Sequence, residues 1–567
     1  MRRIVSLLLV SVLVCLMSAE VAGANWGPNT NDLDTAINTG DFSGYFRNIS
    51  TWLNQKIPAN ASNVTEASMK QLLKDPVFAN TLDQRQLISK HGVDKMGAFA
   101  RVEQSNRTFL AWLLRNTEAM DLYLESVVPT GISAREKNSY TLPIAALDIW
   151  KKILNADPDL KEGLHLRLAI ATAAAPPGSG NRGAGQKEPP DDPVDRYKHF
   201  KSAHQNKELF PSFDNLTVWE YQQVVSSCAS DSDLAWAREM INTWRPDLRI
   251  NEQVVNSTSE VWRRDSPFPY TGGFKSVLAG GGKCGPRSSW AVMVCQAFGI
   301  PAIGVGQPAH ACVAYKAVDA SLSPQPGSIW KVAYGRGWEV SKLQGLSGPD
   351  FLAGVEERSR VTEFSQVEHL RWLASTLASP EQAAAVMAIA HRIRKSAPTA
   401  PKKNLTASRK AAEADRELPS QEPAGNAAKT AVAKPEAVVK VAPGGARIEA
   451  AAFSKMSGVC VHDCYTDGKQ LYLQKNTASS WIEYTLDVPA AGTYGLEMRT
   501  ATPNFEQVLD ISIGTQKFAT VKVPNTHGLW GTTEQVNISL NKGVQTLRVS
   551  APYQRGIAVR WLELKAK

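Results

Sequence analysis

Apolar residues recur at helical spacing along the first third of the chain. They do so from Phe109 to Ser126, from Leu142 to Leu154 with Leu147, Trp150 and Leu154 on one stripe, and from Leu164 to Ala175; such a period predicts amphipathic helices. Residues 25–192 read as a helical N-terminal domain that ends in the Gly- and Pro-rich stretch Pro176–Pro193, an exposed loop or lid. Helical patterning resumes from Val194 to about Trp262. Between Gly272 and Gly345 a helix marked by Trp290, Met293, Val294 and Ala297 precedes strand candidates at Ile300–Gly306, Ala311–Lys316 and Ile329–Tyr334. That order suits an α+β core. A helical pair, Val367–Leu377 and Glu381–Ile393, closes this core at 193–396.

Residues 397–445 lose periodicity and become rich in Ala, Lys, Pro and Glu without one aromatic residue, which predicts a disordered linker. Such a tether would let a following module search a wide radius. From Ala446 the period becomes two. Trp481–Leu486, Tyr494–Arg499, Val508–Ile513, Lys517–Val523, Gln535–Leu540, Val544–Val549 and Ile557–Leu564 predict an all-β, jelly-roll-like sandwich over 446–567, with Trp481 and Trp561 as core residues. The fold class is therefore multidomain α+β, with a helical N-terminal region, an α+β core, a linker and a C-terminal sandwich.

Composition adds compartment and partners. With 567 residues, 43% of them hydrophobic, the chain supports several cores. Met1–Ala24 has a basic start, an apolar stretch and a small-residue end, the layout of a cleaved secretory signal, so a secreted product destined for an extracellular matrix or cell wall is expected. No later run approaches the roughly 20 apolar residues of a membrane span. Eight Asn-x-Ser/Thr sequons, at Asn48, Asn60, Asn63, Asn106, Asn215, Asn256, Asn404 and Asn537, point to glycosylation. The net charge of +9 is modest for this length, and no basic stripe interleaved with aromatics occurs, which argues against nucleic acid as a partner.

Beyond Cys15 in the signal, six cysteines remain. Cys460 and Cys464 are close enough in sequence to clip a local loop as a disulfide. Cys295 lies 11 residues after Cys284, on the same face of one helix, and reads as a buried core thiol. Cys284 itself, in Gly282-Lys283-Cys284-Gly285-Pro286-Arg287, stands where that helix begins, with Pro286 in the first turn where a missing N–H costs least. A helix N-terminus favours thiolate over thiol. His310, at the head of an apolar strand, is the candidate base. The other histidines show no metal-ligand spacing, so no cofactor or metal is expected for catalysis.

The Cys284 helix, Gly299-Ile300-Pro301-Ala302 after it and His310 opening the next strand together resemble the transglutaminase-like cysteine enzymes, which share a Cys-His-Asp triad. The resemblance implies amide acyl transfer or hydrolysis through a Cys284 thioester, with a protein as acyl donor and water or a lysine amine as acceptor. Two positions depart from the family. The Trp often found two residues after the histidine is Cys312, and the next strand candidate, Ile329–Tyr334, has no acid. Glu339 just after that strand, or Asp319 just before it, is left to orient the imidazole. Cys284 could instead be structural, or paired with Cys312, in a non-catalytic extracellular protein with a degenerate core.

Ile448-Glu449-Ala450, Trp481-Ile482-Glu483-Tyr484, Val488-Pro489-Ala490-Ala491-Gly492-Thr493-Tyr494, Val523-Pro524-Asn525-Thr526 and Trp561-Leu562-Glu563-Leu564 resemble a family 6-type carbohydrate-binding module. The resemblance implies polysaccharide or glycoprotein glycans as partners, stacked on Trp530 with Tyr472 and Tyr553 as further platforms. Where many members carry a sugar-contacting Asn before the last strand's tryptophan, this chain reads Gly556-Ile557-Ala558-Val559-Arg560. Glu449 matches the first acid of the family's structural calcium site, whereas the second is replaced by Ala451.

Overall fold

The computed structural model describes residues 30–396, apart from 161, 181–189, 267, 271–272 and 319–329, and residues 432–567, apart from 434–437, 475–479 and 553–555. The expected secretory signal, Asp319, Tyr553, Asn404 and most of the expected linker lie outside the described residues.

The helical N-terminal region forms as expected, with one break. Instead of one helix over Phe109–Ser126, Gln104–Leu113 ends and Thr117–Val127 begins anew, because the Asn116 side chain accepts the Ala119 N–H at 2.9 Å and caps the second helix. The stripe Leu147, Trp150 and Leu154 is buried on Ala145–Ala156. Trp150 is fully enclosed, with Phe109, Trp112 and Tyr123 rings 5.6–5.7 Å away. The helices used below are α1 (Pro76–His91), α2 (Thr117–Val127), α3 (Val218–Val225), α4 (Asp231–Trp244), α5 (Gly273–Gly280), α6 (Cys284–Ala297) and α7 (Val361–Ala374).

In the core, α6 leads into strands β1 (Ala302–Gln307), β2 (His310–Lys316), β3 (Trp330–Ala333), β4 (Lys342–Leu343) and β5 (Leu346–Ser347). They form one antiparallel sheet in the order β3-β2-β1-β4-β5. Pro308 and Ala309 make the hairpin turn that puts His310 opposite Gln307. Strand alternation sorts β2 by face. Val313 and Tyr315 join the main core with Trp290, Val294 and Cys295, while Cys312 and Ala314 face a separate cluster with Trp219, Trp330 and Phe351.

The C-terminal domain is a sandwich of two sheets. One runs Val459–Asp463, Lys469–Leu473, Ile557–Ala566, Gly492–Ala501, Gly531–Thr532; the other runs Gln516–Val523, Gln507–Ile513, Gly543–Ala551, Ser480–Val488, Lys455–Ser457, Val432–Ala433. It starts before Ala446: Val438–Lys440, placed in the linker by its composition, pairs in parallel with Thr485–Asp487. Ile482, Tyr484, Leu486, Leu562 and Leu564 fill the interior. Trp481 and Trp561, expected in the core, occupy the opposite parity and are half-buried on the outer faces, each under a guanidinium: Arg548 at 4.1 Å and Arg447 at 4.3 Å from the ring centres.

The sandwich is docked on the helical core rather than held at a distance. Trp236 Nε1–H of α4 donates to His527 O at 3.0 Å and Trp244 Nε1–H to Gly556 O at 3.2 Å. Gln470 Nε2–H donates to Thr243 O at 3.0 Å, and Asn504 Nδ2–H to Glu260 O at 2.9 Å. Tyr472, Ala501 and Ala558 are buried in the same apolar cluster as the helices. This apolar seam answers the wide-radius tether with a fixed contact.

Candidate functional site

Cys284 is positioned by the turn ahead of its helix. Tyr270 Oη–H donates to Gly281 O at 2.7 Å, Gly282 N–H to Trp262 O at 2.9 Å, and Arg264 N–H to Gly282 O at 3.2 Å. Gly281 has φ +67 and lies where a Cβ would overlap the Trp262 carbonyl oxygen, so only glycine fits. Lys283 offers no side-chain cap, which leaves the first backbone N–H groups of α6 uncapped around the half-buried Cys284. Along α6, Ser288 Oγ–H donates to Cys312 O at 2.6 Å and ties the helix to β2. None of Trp262, Arg264 and Tyr270 was singled out from the sequence; their only signal is an aromatic and basic cluster just ahead of the Gly-rich turn.

His310 is oriented by a backbone carbonyl instead of an acid. Its Nε2 lies 2.6 Å from Tyr334 O, and since a carbonyl only accepts, Nε2 carries the hydrogen. Nδ1 is then the basic nitrogen. Tyr334 adopts the left-handed conformation at φ +58, and its Oη–H reaches Val255 O and Asn256 O, both at 3.3 Å. Glu339, expected as the orienting acid, is exposed on the short turn Trp338–Val340. His310 has no ion pair among the described residues, nor does a hydrogen bond join Cys284 to His310. Cys312 is a free thiol, as is Cys284; burial pushes the Cys312 thiol up to about 12, and nearby Cys284 acts in the same direction. Cys295 is fully buried, as expected, and burial raises its thiol well above the usual range.

Beside the cysteine lies a cavity of about 860 Å³ between α2, α3, α6 and β1. Gly285, Pro286, Ser288 and Ala311 bring it next to Cys284 and His310, and Trp219 and Gln222 form part of the far wall. Among the described residues no lining side chain carries a charge. A charged ligand would be desolvated there without a counter-charge, whereas hydroxyl and amide groups meet Ser, Thr and Gln side chains.

The expected glycan platforms are placed differently. Tyr472 is 2% exposed, 6.0 Å from the Trp244 ring and under Arg245 at 4.8 Å, so it braces the docked seam and cannot stack a sugar. Trp530 packs half-buried against the helical core, in the loop whose His527 carbonyl accepts from Trp236. The sequence could not show this, because a loop tryptophan looks the same whether it meets sugar or protein.

The remaining candidates sort by exposure. No disulfide joins Cys460 to Cys464. Cys460 lies on the extended strand Val459–Asp463 and Cys464 follows its end; four residues of strand span about 13 Å, beyond disulfide reach. Asn106 is 2% exposed, with Nδ2–H donating to Phe99 O at 2.7 Å and Oδ1 accepting from Lys151 Nζ at 2.6 Å, so its sequon is closed to glycosylation. Asn48, Asn60, Asn63, Asn215 and Asn537 are exposed and Asn256 is half-buried. Glu449 is exposed, 3.8 Å from Arg447, and no group of three ligating side chains forms around it among the described residues. Calcium typically takes six to eight oxygens.

Residues 449–566 match the family model of the carbohydrate binding module (family 6). This C-terminal segment is a family 6 carbohydrate-binding module. The chain is similar to the module CBM6cm-2 from Cellvibrio mixtus lichenase 5A in complex with cellotriose, at 24% identity over 22% of this chain and 97% of that one, TM-score 0.20. It is also similar to a β-1,3-glucan binding CBM6 from Bacillus halodurans, at 20% identity over 23% of this chain and 99% of that one, TM-score 0.20. The CBM35 from Paenibacillus barcinonensis is 22% identical over 22% of this chain and 100% of that one, TM-score 0.20. No curated protein matches the chain. Among the described residues no helix is long and apolar enough to cross a membrane.

Proposed function

We propose that the protein is a secreted cysteine enzyme of the transglutaminase-like type, carried on glycans by its C-terminal module. Its chemistry is amide acyl transfer or hydrolysis. His310 Nδ1 takes the proton of Cys284, the thiolate attacks a neutral carboxamide carbonyl, and the imidazolium returns the proton to the departing amine as the thioester forms. Water or a lysine amine then takes the acyl group and regenerates the thiol. The uncapped N–H groups at the start of α6 are the natural donors to the oxyanion. The observation that carries this reading is the His310 Nε2–H bond to Tyr334 O, which holds the imidazole in the tautomer a base requires. Catalytic hydrogen bonds absent at rest often form on substrate binding, and the uncharged cavity suits a neutral substrate. Export rests on the layout of Met1–Ala24.

Iodoacetamide labelling of the native protein with peptide mapping tests the nucleophile. Cys284 is expected to label first, and His310→Asn to slow both labelling and amide turnover by about 10²–10⁴-fold, the usual worth of a general base. An inert Cys284 in the folded chain overturns the enzymatic reading. The second reading, a non-catalytic glycan-binding scaffold, is favoured by the absence, among the described residues, of an acid beside His310; it predicts that Cys284→Ala changes nothing measurable. For glycan attachment the candidate is the half-buried Trp481, on the outer sheet face beside Ser550 and the Glu483–Arg548 pair, which spans 2.7 Å. Trp481→Ala is expected to weaken retention on β-glucan about tenfold, and unchanged retention removes that face from consideration.

A further inference from the structure

Three helices of the N-terminal region and core bring together one histidine and two carboxylates far from Cys284 in sequence: Asp83 on α1, Asp121 on α2 and His369 on α7. His369 Nε2 lies 3.0 Å from Asp121 Oδ1 and 3.2 Å from Asp83 Oδ1. The three ligand atoms all fall within 4.8 Å of one another, and among the described residues no other such group forms.

Asp83 is 0% exposed, and neither of its carboxylate oxygens accepts a hydrogen bond. The ring of His369 explains why. Its Nδ1–H donates to Ser365 O at 2.8 Å, which directs Nε2 at the two acids. A hydrogen on Nε2 can serve only one of them, and the hydrogen-bonding geometry goes to Asp121. Deprotonated at all three positions, the state a metal ion selects, the group carries two negative charges and one lone pair converging on a single point. A buried carboxylate without a donor is costly, and a cation at that point removes the cost.

We propose that Asp83, Asp121 and His369 bind a divalent transition-metal cation, Zn²⁺ or Mn²⁺. Ligands about 2.1 Å from an ion stand about 3.0 Å apart in an octahedron and about 3.4 Å apart in a tetrahedron, and the nitrogen–oxygen spacings of 3.0 and 3.2 Å fall within that range. The Ser365 carbonyl supplies the outer-shell acceptor that metal-bound histidines use to hold their tautomer. The Asp121 side chain is 31% exposed, which gives the ion an entry route and room for water to complete its coordination. Bound there, the metal clamps α7 to α1 and α2; α2 also carries Tyr123 and Ser126 of the cavity wall. The site is independent of the chemistry at Cys284.

The full chain, stripped with EDTA and dialysed, is titrated with ZnCl₂ and separately with MnCl₂ by calorimetry and thermal unfolding. One equivalent of at least one cation is expected to bind and raise the melting temperature. Asp121→Asn, at the half-exposed position, is expected to fold and to weaken binding more than tenfold; Asp83→Asn and His369→Gln, checked by circular dichroism, are expected to abolish it. If neither cation binds the folded wild-type chain, or if binding is unchanged in the folded variants, the metal site is overturned and a proton shared between Asp83 and Asp121 fills the gap.

Discussion

The docked module makes the most direct prediction, at Gly528. This residue has φ +77 in the loop between Val523 and Trp530, where its N–H donates to Thr502 O at 2.7 Å. A Cβ there would overlap Met240 Cγ and lie 2.9 Å from its Sδ, and Met240 is 1% exposed on α4. Gly528→Ala therefore adds two separable costs. Left-handed strain of about 1–2 kcal/mol acts on the module whether docked or free, so it lowers the module's own stability and leaves the docking equilibrium alone. Pressing a methyl into the packed seam costs about 1–3 kcal/mol and acts on the docked state only. At tenfold per 1.4 kcal/mol, the ratio of docked to undocked chains falls by about 5- to 150-fold. Small-angle scattering of the full chain reads the result as a larger radius of gyration in Gly528→Ala. Retention on β-glucan supplies the functional half. Trp530→Ala is expected to leave it unchanged in the wild-type chain, where the indole meets protein, and to alter it in the Gly528→Ala background, where the loop is freed. The reasoning is refuted by an unchanged radius together with a wild-type chain that already depends on Trp530 for retention.

Other outcomes follow from buried polar groups. His199 accepts a hydrogen bond from Arg238 Nη1 at 3.1 Å, and burial, then the Arg238 charge, lowers its imidazole to about 3. A depressed histidine stabilises the fold above the unfolded value near 6.5 and loses that contribution as pH falls, about 2 kcal/mol between pH 7 and 5; urea unfolding of His199→Gln, which does not titrate, should show a correspondingly flatter pH dependence. Asn106→Ala leaves Phe99 O without its donor and deprives buried Lys151 of one partner, so it is expected to cost about 2–4 kcal/mol in denaturant unfolding, and mass mapping of the protein made in a glycosylating host should find Asn106 unmodified. No disulfide joins the six described cysteines, so titration with a thiol reagent in denaturant without reductant should count six thiols; four would restore the Cys460–Cys464 clip.

Features set by local chemistry were legible in the sequence. The Leu147, Trp150 and Leu154 stripe is buried as its period demands, α6 starts at Cys284 and carries Pro286 in its first turn, and β2 begins at His310. Strand periodicity found the sandwich, yet it could not say which parity of Trp481 or Trp561 faces inward, because one slip of register exchanges the faces. Asn116 shows how a single cap splits a pattern that reads as one helix.

Partnership across long sequence separations was decided only in three dimensions. His310 meets a backbone carbonyl 24 residues away, and every residue type supplies the same carbonyl, so no side-chain pattern could announce Tyr334. Asp83, Asp121 and His369 converge from separate helices, at spacings that match no short motif. Sequence determined the elements, the cysteine at a helix start and the sugar-binding fold, since these follow from period, propensity and caps. The tertiary structure decided that Tyr472 and Trp530 face protein and that Asn106 is sealed, because burial depends on which surfaces of distant elements come to cover one another.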